Sequence, residues 1–320
     1  MKRILKGILI LVGLVIAAAA AGLGWTHLAL RERRAPLPPI KSVAAALASD
    51  ADRPVRLSWI NTASQDMPRS NVLDPATDPQ PDKPCRMSHA SFVLEWADGR
   101  ILLVDTGMTE EVALEFGKPM QMFGGAGPIT PHGSTAAQLG ARSGDVAGVL
   151  LTHLHNDHVD GVKDLCSGRA GRLRIFSTPD QIEYGNYTTR PGVQILDEAG
   201  CVERIPLVGV GPLYEVPGFP GVRVFAAGGH TPDSQIVVAE VGAGDQARLW
   251  AFTGDIANAL DGIHFDVAKP WVYSTFLVPE DAARMTELRR YLRDLSQTEN
   301  FGLLVPHDEQ AIIATALPRW

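Results

Sequence analysis

The chain has 320 residues, and 45% of them are hydrophobic. This length and composition suffice to bury one large hydrophobic core or two modest ones. The formal net charge is −7, and no long basic run occurs outside the N-terminal region. Because nucleic acids bind to clustered cationic surfaces, the composition argues against a nucleic-acid partner and favours a small molecule with little charge.

Residues 1–34 differ from the rest of the chain and predict a membrane anchor or a signal segment. Three basic residues among the first six precede an uncharged apolar run over residues 7–30. That run is long enough to cross a bilayer as a helix, and it is longer than the usual apolar part of a signal peptide. Residues 17–21 are all alanine and would suit a signal peptidase. We therefore expect an anchor, with export after cleavage as the alternative.

The orientation of this segment is predicted from the charges on its two sides. Arg31, Arg33 and Arg34 follow the run, but Glu32 offsets part of their charge, and the N-terminal amine adds to the opposite side. Because the more basic flank stays in the cytoplasm, we expect the remainder of the chain on the periplasmic side, anchored or exported. The three cysteines do not test this expectation, since an odd number leaves at least one thiol unpaired.

The chain after the N-terminal segment divides into a predicted linker, residues 35–54, and one folded domain, residues 55–320. Alternating apolar residues predict strands, and two turn segments, one with Asp-Gly, predict hairpins. Residues 61–86 carry five prolines and predict an irregular surface loop. Apolar spacing predicts an amphipathic helix over residues 280–295. The predicted strands cover residues 55–60, 91–96, 101–105, 149–152, 222–225, 236–241 and 247–252, with shorter helices after residue 159 and around 179–184.

The most informative segment of the domain is residues 150–161, Leu-Leu-Thr-His-Leu-His-Asn-Asp-His-Val-Asp-Gly. Neutral imidazole and carboxylate groups are ligands for zinc and similar divalent metals. In an extended loop, His153 and His155 point to the same side and can share one metal. The adjacent Asp157 and His158 point apart and can hold a second. A closed structural zinc site is the alternative, but such sites are usually rich in cysteine, and the chain has no Cys-x-x-Cys pair.

Three further candidate ligands follow, each at the point where a strand is predicted to end. His230 lies in Gly-Gly-His-Thr-Pro, Asp255 in Thr-Gly-Asp, and His307 in Val-Pro-His-Asp. Side chains in loops that a rigid scaffold positions are common in binding and catalytic sites. The sequence therefore predicts a two-metal site assembled from distant segments.

The order His-x-His-x-Asp-His, then His, Asp and His, resembles the metallo-β-lactamase superfamily over about residues 55–320. The resemblance implies an α/β fold, an αββα sandwich of two sheets faced by helices, here preceded by the N-terminal hydrophobic helix. An upstream Leu-Leu-Val-Asp-Thr-Gly segment resembles the acidic turn beneath the metals, where Asp105 would accept a hydrogen bond from a ligand histidine. The implied ligands are His153, His155 and His230 for the first metal, Asp157, His158 and His307 for the second, and Asp255 as a bridge.

Within the superfamily, the pattern is most similar to acyl-homoserine-lactone lactonases and related organophosphate hydrolases. The resemblance implies two Zn²⁺ per chain, with Mn²⁺, Fe²⁺ or Co²⁺ as alternatives, and a bridging hydroxide that attacks a carbonyl to open a lactone ring. Asp157 would carry the proton to the leaving group. Typical lactonases have a tyrosine three residues after the bridging acid, where this chain has Asn258. Either its amide donates to the substrate carbonyl or that role is absent.

The walls of a substrate pocket are predicted from two stretches that flank the ligand segments. Residues 108–139 contain methionine and phenylalanine beside glycines, and they predict either an adaptable apolar lid or an ordinary packed helix with a loop. An aromatic stretch over residues 262–276 predicts the opposite wall or a part of the core. The candidate pocket residues are Met120, Met122, Phe123, His264 and Phe265.

Two other functions remain open alongside a lactonase. A phosphoester or sulfate-ester hydrolase could use the same metals, and a non-catalytic metal-binding module would keep the ligands without turnover. The remaining histidines, His27, His89 and His132, lack a motif and are predicted to be structural or surface residues. The oligomeric state and the natural substrate are left open.

Overall fold

The structure is a computed structural model that describes residues 2–32, 34–48, 52–209 and 211–320. Met1 and Arg33 of the predicted anchor and residues 49–51 of the predicted linker lie outside the described residues. The helices are α1 (Lys2–Glu32), α2 (Ile40–Ala48), α3 (Glu110–Phe123), α4 (Thr135–Leu139), α5 (Asn156–Val159), α6 (Val162–Cys166), α7 (Pro179–Glu183), α8 (Arg190–Glu198), α9 (Leu260–His264), α10 (Ala282–Ser296) and α11 (Glu309–Ala314). The strands are β1 (Arg56–Met67), β2 (Cys85–Glu95), β3 (Ile101–Val104), β4 (Thr130–Pro131), β5 (Val146–Leu150), β6 (Leu173–Ser177), β7 (Val202–Pro206), β8 (Tyr214–Glu215), β9 (Val222–Ala226), β10 (Gln235–Val241), β11 (Arg248–Phe252) and β12 (Phe301–Leu304).

The strands form two sheets whose inner faces pack on each other. One has seven strands in the order β4-β1-β2-β3-β5-β6-β7, and the other has five in the order β12-β11-β10-β9-β8. Phe92 of the first sheet meets Phe252 of the second, with ring centroids 5.1 Å apart. Because side chains alternate between the two faces of a strand, the same strands present a second apolar set outward. The largest hydrophobic core lies between the sheets and contains inward-facing residues from both of them.

Helices cover the outer face of each sheet. On the five-stranded sheet, α10 buries Met285, Leu288 and Leu292, which recur at the three- and four-residue spacing of one helix face. On the seven-stranded sheet, α4, α6 and α8 bury residues such as Leu165 and Ile195. The four layers confirm the predicted αββα sandwich.

The local strand predictions are mostly confirmed, but β1 and β2 both extend into the predicted surface loop, β1 to Met67 and β2 from Cys85. The two predicted hairpins form as β2 with β3 and β10 with β11, both antiparallel. The predicted surface loop over residues 61–86 begins too early, because β1 continues to Met67 and pairs with both β2 and β4. Polar side chains in this part of β1 are buried but satisfied: Asn61 Nδ2 donates to Ser64 Oγ at 2.8 Å, and Ser64 Oγ donates to Glu309 at 3.0 Å.

The N-terminal segments are helical, and the linker is part of the packed body. Among the described residues, α1 is the helix that is long and apolar enough to cross a membrane, over Ile4–Glu32. In α2, Val43 and Leu47 are fully buried in the core cluster on the five-stranded sheet. Tyr291 Oη of α10 also donates to the carbonyl of Pro38 at 2.8 Å. The predicted linker therefore docks on the domain instead of forming a free tether.

One disulfide bond joins Cys166, at the end of α6, to Cys201, just before β7. Cys85 remains a free, partly buried thiol. Burial raises the pKa of Cys85 to about 12, so this thiol stays protonated and unreactive at neutral pH. The sequence alone did not predict the pairing.

Candidate metal centre

The predicted ligand segments meet at one end of the sandwich, where strands of both sheets stop. The loop after β5 carries the dense histidine motif, and the loops after β9, β11 and β12 carry His230, Asp255 and His307. All the predicted ligands are buried except His155, which is partly exposed. Segments that are far apart in sequence therefore form one polar cluster between the two sheets.

Asp105 holds the motif loop in place from the turn after β3. Its φ of 60° is a left-handed conformation that Asp adopts more readily than most residues. Its carboxylate accepts hydrogen bonds from the backbone N–H of Thr152 at 2.7 Å and from Nδ1 of His158 at 2.9 Å. The loop and the turn touch closely, since a Cβ at Gly161 would lie 2.2 Å from the carbonyl oxygen of Thr106. Glycine is therefore required where the motif ends.

Hydrogen bonds fix the ring orientation of three histidines in the cluster. His158 donates from Nδ1 to Asp105, as described above. His230 likewise donates from Nδ1 to Glu280 at 2.6 Å. His307 donates from Nδ1 to the carbonyl of Ser88 at 2.7 Å. A neutral imidazole that donates from Nδ1 carries a lone pair on Nε2. Nε2 of His158 and Nε2 of His307 lie only 3.3 Å apart, so the lone pairs of two neutral rings would repel unless a proton or a metal ion lay between them.

Asp255 lies at the centre of these lone pairs. Its Oδ1 is 3.0 Å from Nε2 of His307 and 3.2 Å from Nε2 of His158. Its Oδ2 is 3.6 Å from Nε2 of His230. Oδ1 is buried and has no hydrogen-bond partner within the described part of the chain. A buried, unpaired carboxylate oxygen is costly, and a bound cation would remove that cost.

The donor atoms of the cluster fit divalent metal. They form three overlapping groups, within each of which all donor atoms lie within 4.8 Å of one another. Nitrogen and oxygen donors without thiolates suit zinc and neighbouring transition metals. Asp255 belongs to two of these groups. One of them contains all three histidines predicted for the first metal, and the other contains both histidines predicted for the second. The groups are His153, His155, His230 and Asp255; His158, Asp255 and His307; and His89, Asp157 and His307.

Burial keeps the first group of histidines neutral. It is the main cause, with neighbouring imidazoles, that lowers the pKa of His155 to about 3 and the pKa of His153 well below its ordinary value. Burial and then Lys269 lower the pKa of His230. For Asp157, burial acts to raise the pKa, but His158 and then His89 outweigh it and lower the pKa. Neutral imidazole and ionised carboxylate are the forms that bind metal.

His89 belongs to this site, and its assignment as a merely structural or surface residue was wrong. It is 2% exposed, and its Nδ1 lies 3.2 Å from Oδ2 of Asp157. Its ring centroid is 4.9 Å from that of His307. Strand β2 carries His89 beneath the cluster, but its partners are 68 and 218 residues away in sequence. No local motif could have identified it.

A buried lysine and glutamate support His230 from outside the cluster. Oε1 of Glu280 accepts from Nδ1 of His230 and from Nζ of Lys269, the latter at 2.7 Å. Nζ of Lys269 also donates to the backbone carbonyl of Asp255 at 2.6 Å. Lys269 is 4% exposed, and Glu280 is 6% exposed. This pair therefore links the positions of two predicted ligands, and no motif in the sequence marks either of its residues.

Replacing Glu280 by alanine is expected to weaken metal binding by about 10–100-fold, the usual effect of losing a partner that orients a ligand. The change frees the His230 ring and leaves the Lys269 cation unpaired beside the cluster. Zinc affinity, measured by competition with a chelator, checks this expectation. The double variant Glu280→Ala with Lys269→Met removes the unpaired charge, so it should regain stability but not full affinity. Glu287→Ala, which changes an exposed glutamate of α10, is the matched control. Unchanged affinity in Glu280→Ala would contradict the positioning role.

The cluster forms the floor of a cavity of about 300 Å³. Its apolar walls include Met67, Met87, Phe116, Met120 and Leu277. None of the described residues that line it is a lysine or an arginine. The cavity is thus neutral and apolar above a floor of imidazoles and carboxylates, which is typical of small-molecule sites with a few convergent polar groups.

Two polar side chains enter this cavity beside Asp255. Asn258 and Tyr273 both line it, and the side chain of Asn258 lies within hydrogen-bond reach of the Tyr273 hydroxyl. Burial first, and then the nearby carboxylates of Asp255 and Glu280, raise the pKa of Tyr273 well above its ordinary value. Oδ1 of Asn258 is buried without a partner among the described residues. The phenol and the amide are therefore neutral hydrogen-bonding groups.

The predicted pocket residues are only partly in the cavity. Met120 lines it together with Phe116, since residues four apart share one face of α3. Met122 and Phe123 lie on other faces at the end of that helix and are 71% and 86% exposed. His264 and Phe265, at the end of α9, are exposed and do not line the cavity either. These four assignments are corrected, because helical rotation turns them away from the site.

Comparison with known proteins identifies the family. A sequence profile described as the metallo-beta-lactamase superfamily matches residues 86–297, which is more than half of the chain. The chain belongs to the metallo-beta-lactamase superfamily. This confirms the family predicted from the motif order, and the superfamily and the cluster together make the chain a metal-dependent hydrolase. A search of curated proteins found no significant match.

Solved structures similar to this superfamily member include three hydrolases. An N-acyl homoserine lactone hydrolase, with the product N-hexanoyl-L-homoserine bound at the catalytic metal center, is 20% identical, covers 82% of this chain and 96% of its own, and has a TM-score of 0.56. A variant of AiiA from B. thuringiensis with N-decanoyl-L-homoserine at the active site gives the same identity, coverage and TM-score of 0.56. A probable metal-dependent hydrolase from Staphylococcus aureus is 17% identical, covers 81% and 91%, and has a TM-score of 0.53. At these identities the likeness concerns the fold.

Proposed function

We propose that this enzyme opens the ring of a lactone that carries an apolar acyl chain, such as an acyl-homoserine lactone. The observation that carries the proposal is the pairing of the histidine and aspartate cluster with a neutral, apolar cavity directly above it. A charged phosphate monoester or sulfate would find no lysine or arginine among the described lining residues. An acyl chain would instead pack on methionine and phenylalanine side chains, which adapt well to flexible apolar ligands.

We assign the metal ligands as the motif order implies. His153, His155 and His230 would hold one zinc ion, Asp157, His158 and His307 a second, and Asp255 would contact both. Paired divalent ions acidify water and polarise the carbonyl oxygen of a substrate. The position of Asp255 within 3.2 Å of two rings from the second set, and 3.6 Å from one ring of the first, supports its assignment as the bridge.

The side chains of the chain itself would orient the lactone and move its proton. Asp157, held by His89 and facing the cavity, would accept a proton and deliver it to the alcohol that leaves as the ring opens. Asn258 and Tyr273 would donate hydrogen bonds to the ring oxygens, since both are neutral and face the cavity. Phe116 and Leu277 would exclude bulk water once an acyl chain fills the cavity.

The structural neighbours agree with this substrate class. Two of them were solved with acyl-homoserine products, one at a catalytic metal center and one at an active site. These acylated ligands support the proposal because the cavity of this chain has apolar walls on which an acyl chain could pack. The likeness by itself extends only to the fold, so the assignment depends on the cavity.

The lactonase assignment is tested by comparing hydrolysis rates on matched esters. We expect the zinc-loaded, full-length enzyme to hydrolyse a long-chain acyl-homoserine lactone faster than a phosphotriester or an aryl sulfate. Initial rates on all three substrates, with Asp157→Ala as the inactive control, provide the measurement. A folded, metal-loaded protein that turns over only the phosphotriester or the sulfate ester would reject the lactonase and favour that ester instead.

We further propose that α1 remains as a membrane anchor and that residues 55–320 act outside the cytoplasm, on the periplasmic side. The disulfide between Cys166 and Cys201 supports this location, because disulfides persist mainly in oxidising compartments. The length and apolar composition of α1 support the anchor.

A further inference from the structure

The last turns of α1 pack on the folded body, whereas the preceding part of the helix does not. All side chains from Ile4 to Gly22 are exposed. As an α-helix these 19 residues rise about 28 Å, close to the roughly 30 Å thickness of a bilayer's hydrocarbon core. Contact with the body therefore begins where a bilayer that holds α1 would end. The covered side chains are Leu23, Thr26, His27, Ala29 and Leu30, spaced along one helix face.

This end of α1 contacts the turn that borders the cavity. Nε2 of His27 donates to the carbonyl of Thr275 at 3.1 Å. Thr275 lies in the π-helical turn Tyr273–Leu277, whose two end residues line the cavity. Just after α1, Arg34 forms an ion pair with Asp281 at 2.6 Å. The end of α1 that would emerge from a bilayer is therefore fixed to one wall of the cavity mouth.

An exposed apolar rim lies on the same turn. It consists of Trp271, Val272, Phe276 and Leu277, which are 66%, 56%, 50% and 59% exposed. The rings of Trp271 and Phe276 meet edge to face with centroids 5.2 Å apart, so they form one patch. Contiguous exposed apolar residues mark interaction surfaces, and tryptophan among them is typical of the layer where membrane meets water.

We propose that this apolar rim inserts into the interfacial layer of the bilayer that holds α1, so that the cavity opens at the membrane surface and takes amphiphilic substrates from the lipid phase. The contact between His27 and Thr275 favours lipid as the partner of the rim, because it holds the rim beside the end of α1 and hence beside a bilayer that contains α1. Insertion rests on α1 being retained in the membrane. The substrate class rests on the proposed hydrolysis of acylated lactones.

Quenching by brominated lipid tests the insertion directly. The full-length protein is reconstituted in phosphatidylcholine vesicles with or without bromine near the headgroup end of the acyl chains. The emission that disappears in Trp271→Phe is expected to be strongly quenched, and Trp25 does not interfere because it is present in both proteins. Trp320→Phe is the matched control, since Trp320 contacts Arg142 near the start of β5, at the opposite end from the site. Emission from Trp271 that brominated lipid leaves unchanged would overturn the inference.

A kinetic measurement tests the delivery of substrate. Trp271 and Phe276 do not line the cavity, so replacing both by serine should leave kcat unchanged. The apparent KM for a long-chain lactone in vesicles is expected to rise about tenfold or more, since burying one aromatic side chain away from water is worth at least that factor. The KM for a short-chain, water-soluble lactone should not change. An equal rise in KM for both substrates would overturn delivery from lipid. If Trp271 is quenched but the protein hydrolyses no lactone, only the proposed reaction is rejected.

Discussion

Replacement of Asp255 by alanine is expected to remove bound metal and, with it, hydrolysis. Its carboxylate is shared by two of the donor groups, and its Oδ1 lies 3.0 Å from Nε2 of His307 and 3.2 Å from Nε2 of His158. Loss of a residue that only hydrogen-bonds to a metal ligand lowers metal affinity by up to about 100-fold. Loss of Asp255, a proposed ligand, should lower it by more. The variant also removes the negative charge that would offset part of the charge of a bound metal ion.

Metal content by elemental analysis and zinc affinity by titration provide the measurement for this variant. Asp261→Ala is the matched control, because Asp261 is also a partly buried aspartate in ion pairs, with Arg69 and Lys83, but lies outside the donor groups. That control is expected to lose some stability but to keep its metal. Wild-type metal content in Asp255→Ala would show that the groups do not depend on a shared carboxylate.

Replacement of Asp157 by alanine is expected to lower kcat by about 10²–10⁴-fold, the range of a positioned proton-transfer group, while the fold persists. The carboxylate faces the cavity and accepts from Nδ1 of His89 when that ring is protonated there, at 3.2 Å. It also lies 3.3 Å from Nε2 of His307. Asp255 is the only other carboxylate among the described cavity-lining residues, and it would contact both metals, whereas Asp157 would contact one.

Steady-state kinetics with thermal unfolding as a fold check provide the measurement for Asp157. Asp164→Ala, which changes an exposed aspartate on the following helix α6, is the matched control and should keep full activity. Near-normal turnover in Asp157→Ala would contradict the dinuclear mechanism with proton transfer through this residue. A collapse of thermal stability instead of activity would indicate a purely structural carboxylate.

The predictable part of the site follows from local signals in the sequence. The motif loop, His230, Asp255 and His307 each come directly after an apolar strand, and strand ends meet at one edge of the sandwich. The hairpins were predictable because Asp-Gly and glycine-rich turns fix which strands pair. Helix α10 was predictable from its apolar spacing, and it begins where the side chain of Asp281 accepts from the N–H of Arg284.

The parts that were missed depend on partners that are distant in sequence. His89 acquires its role from Asp157, and Lys269 with Glu280 from His230, so no window of neighbouring residues reveals them. The end of β1 is unpredictable for the same reason, since its polar side chains find distant partners, such as Glu309 for Ser64, 245 residues later. On α3, the four-residue spacing of Phe116 and Met120 indicates the face that lines the cavity. The prediction of Met122 and Phe123 used only their apolar character, and both lie at the exposed end of the helix.

The disulfide between Cys166 and Cys201 has a consequence for the rigidity of the cavity. The segment that it closes spans 35 residues and carries Thr188 and Pro191, which line the cavity. Thr188 Oγ1 also lies 2.8 Å from Nε2 of His155. Closing a loop of this length lowers the entropy of the unfolded chain, which corresponds to about 3–4 kcal/mol of stability. Reduction of this one bond is therefore expected to destabilise the segment that forms a wall of the cavity and contacts the proposed ligand His155, although neither cysteine touches the site.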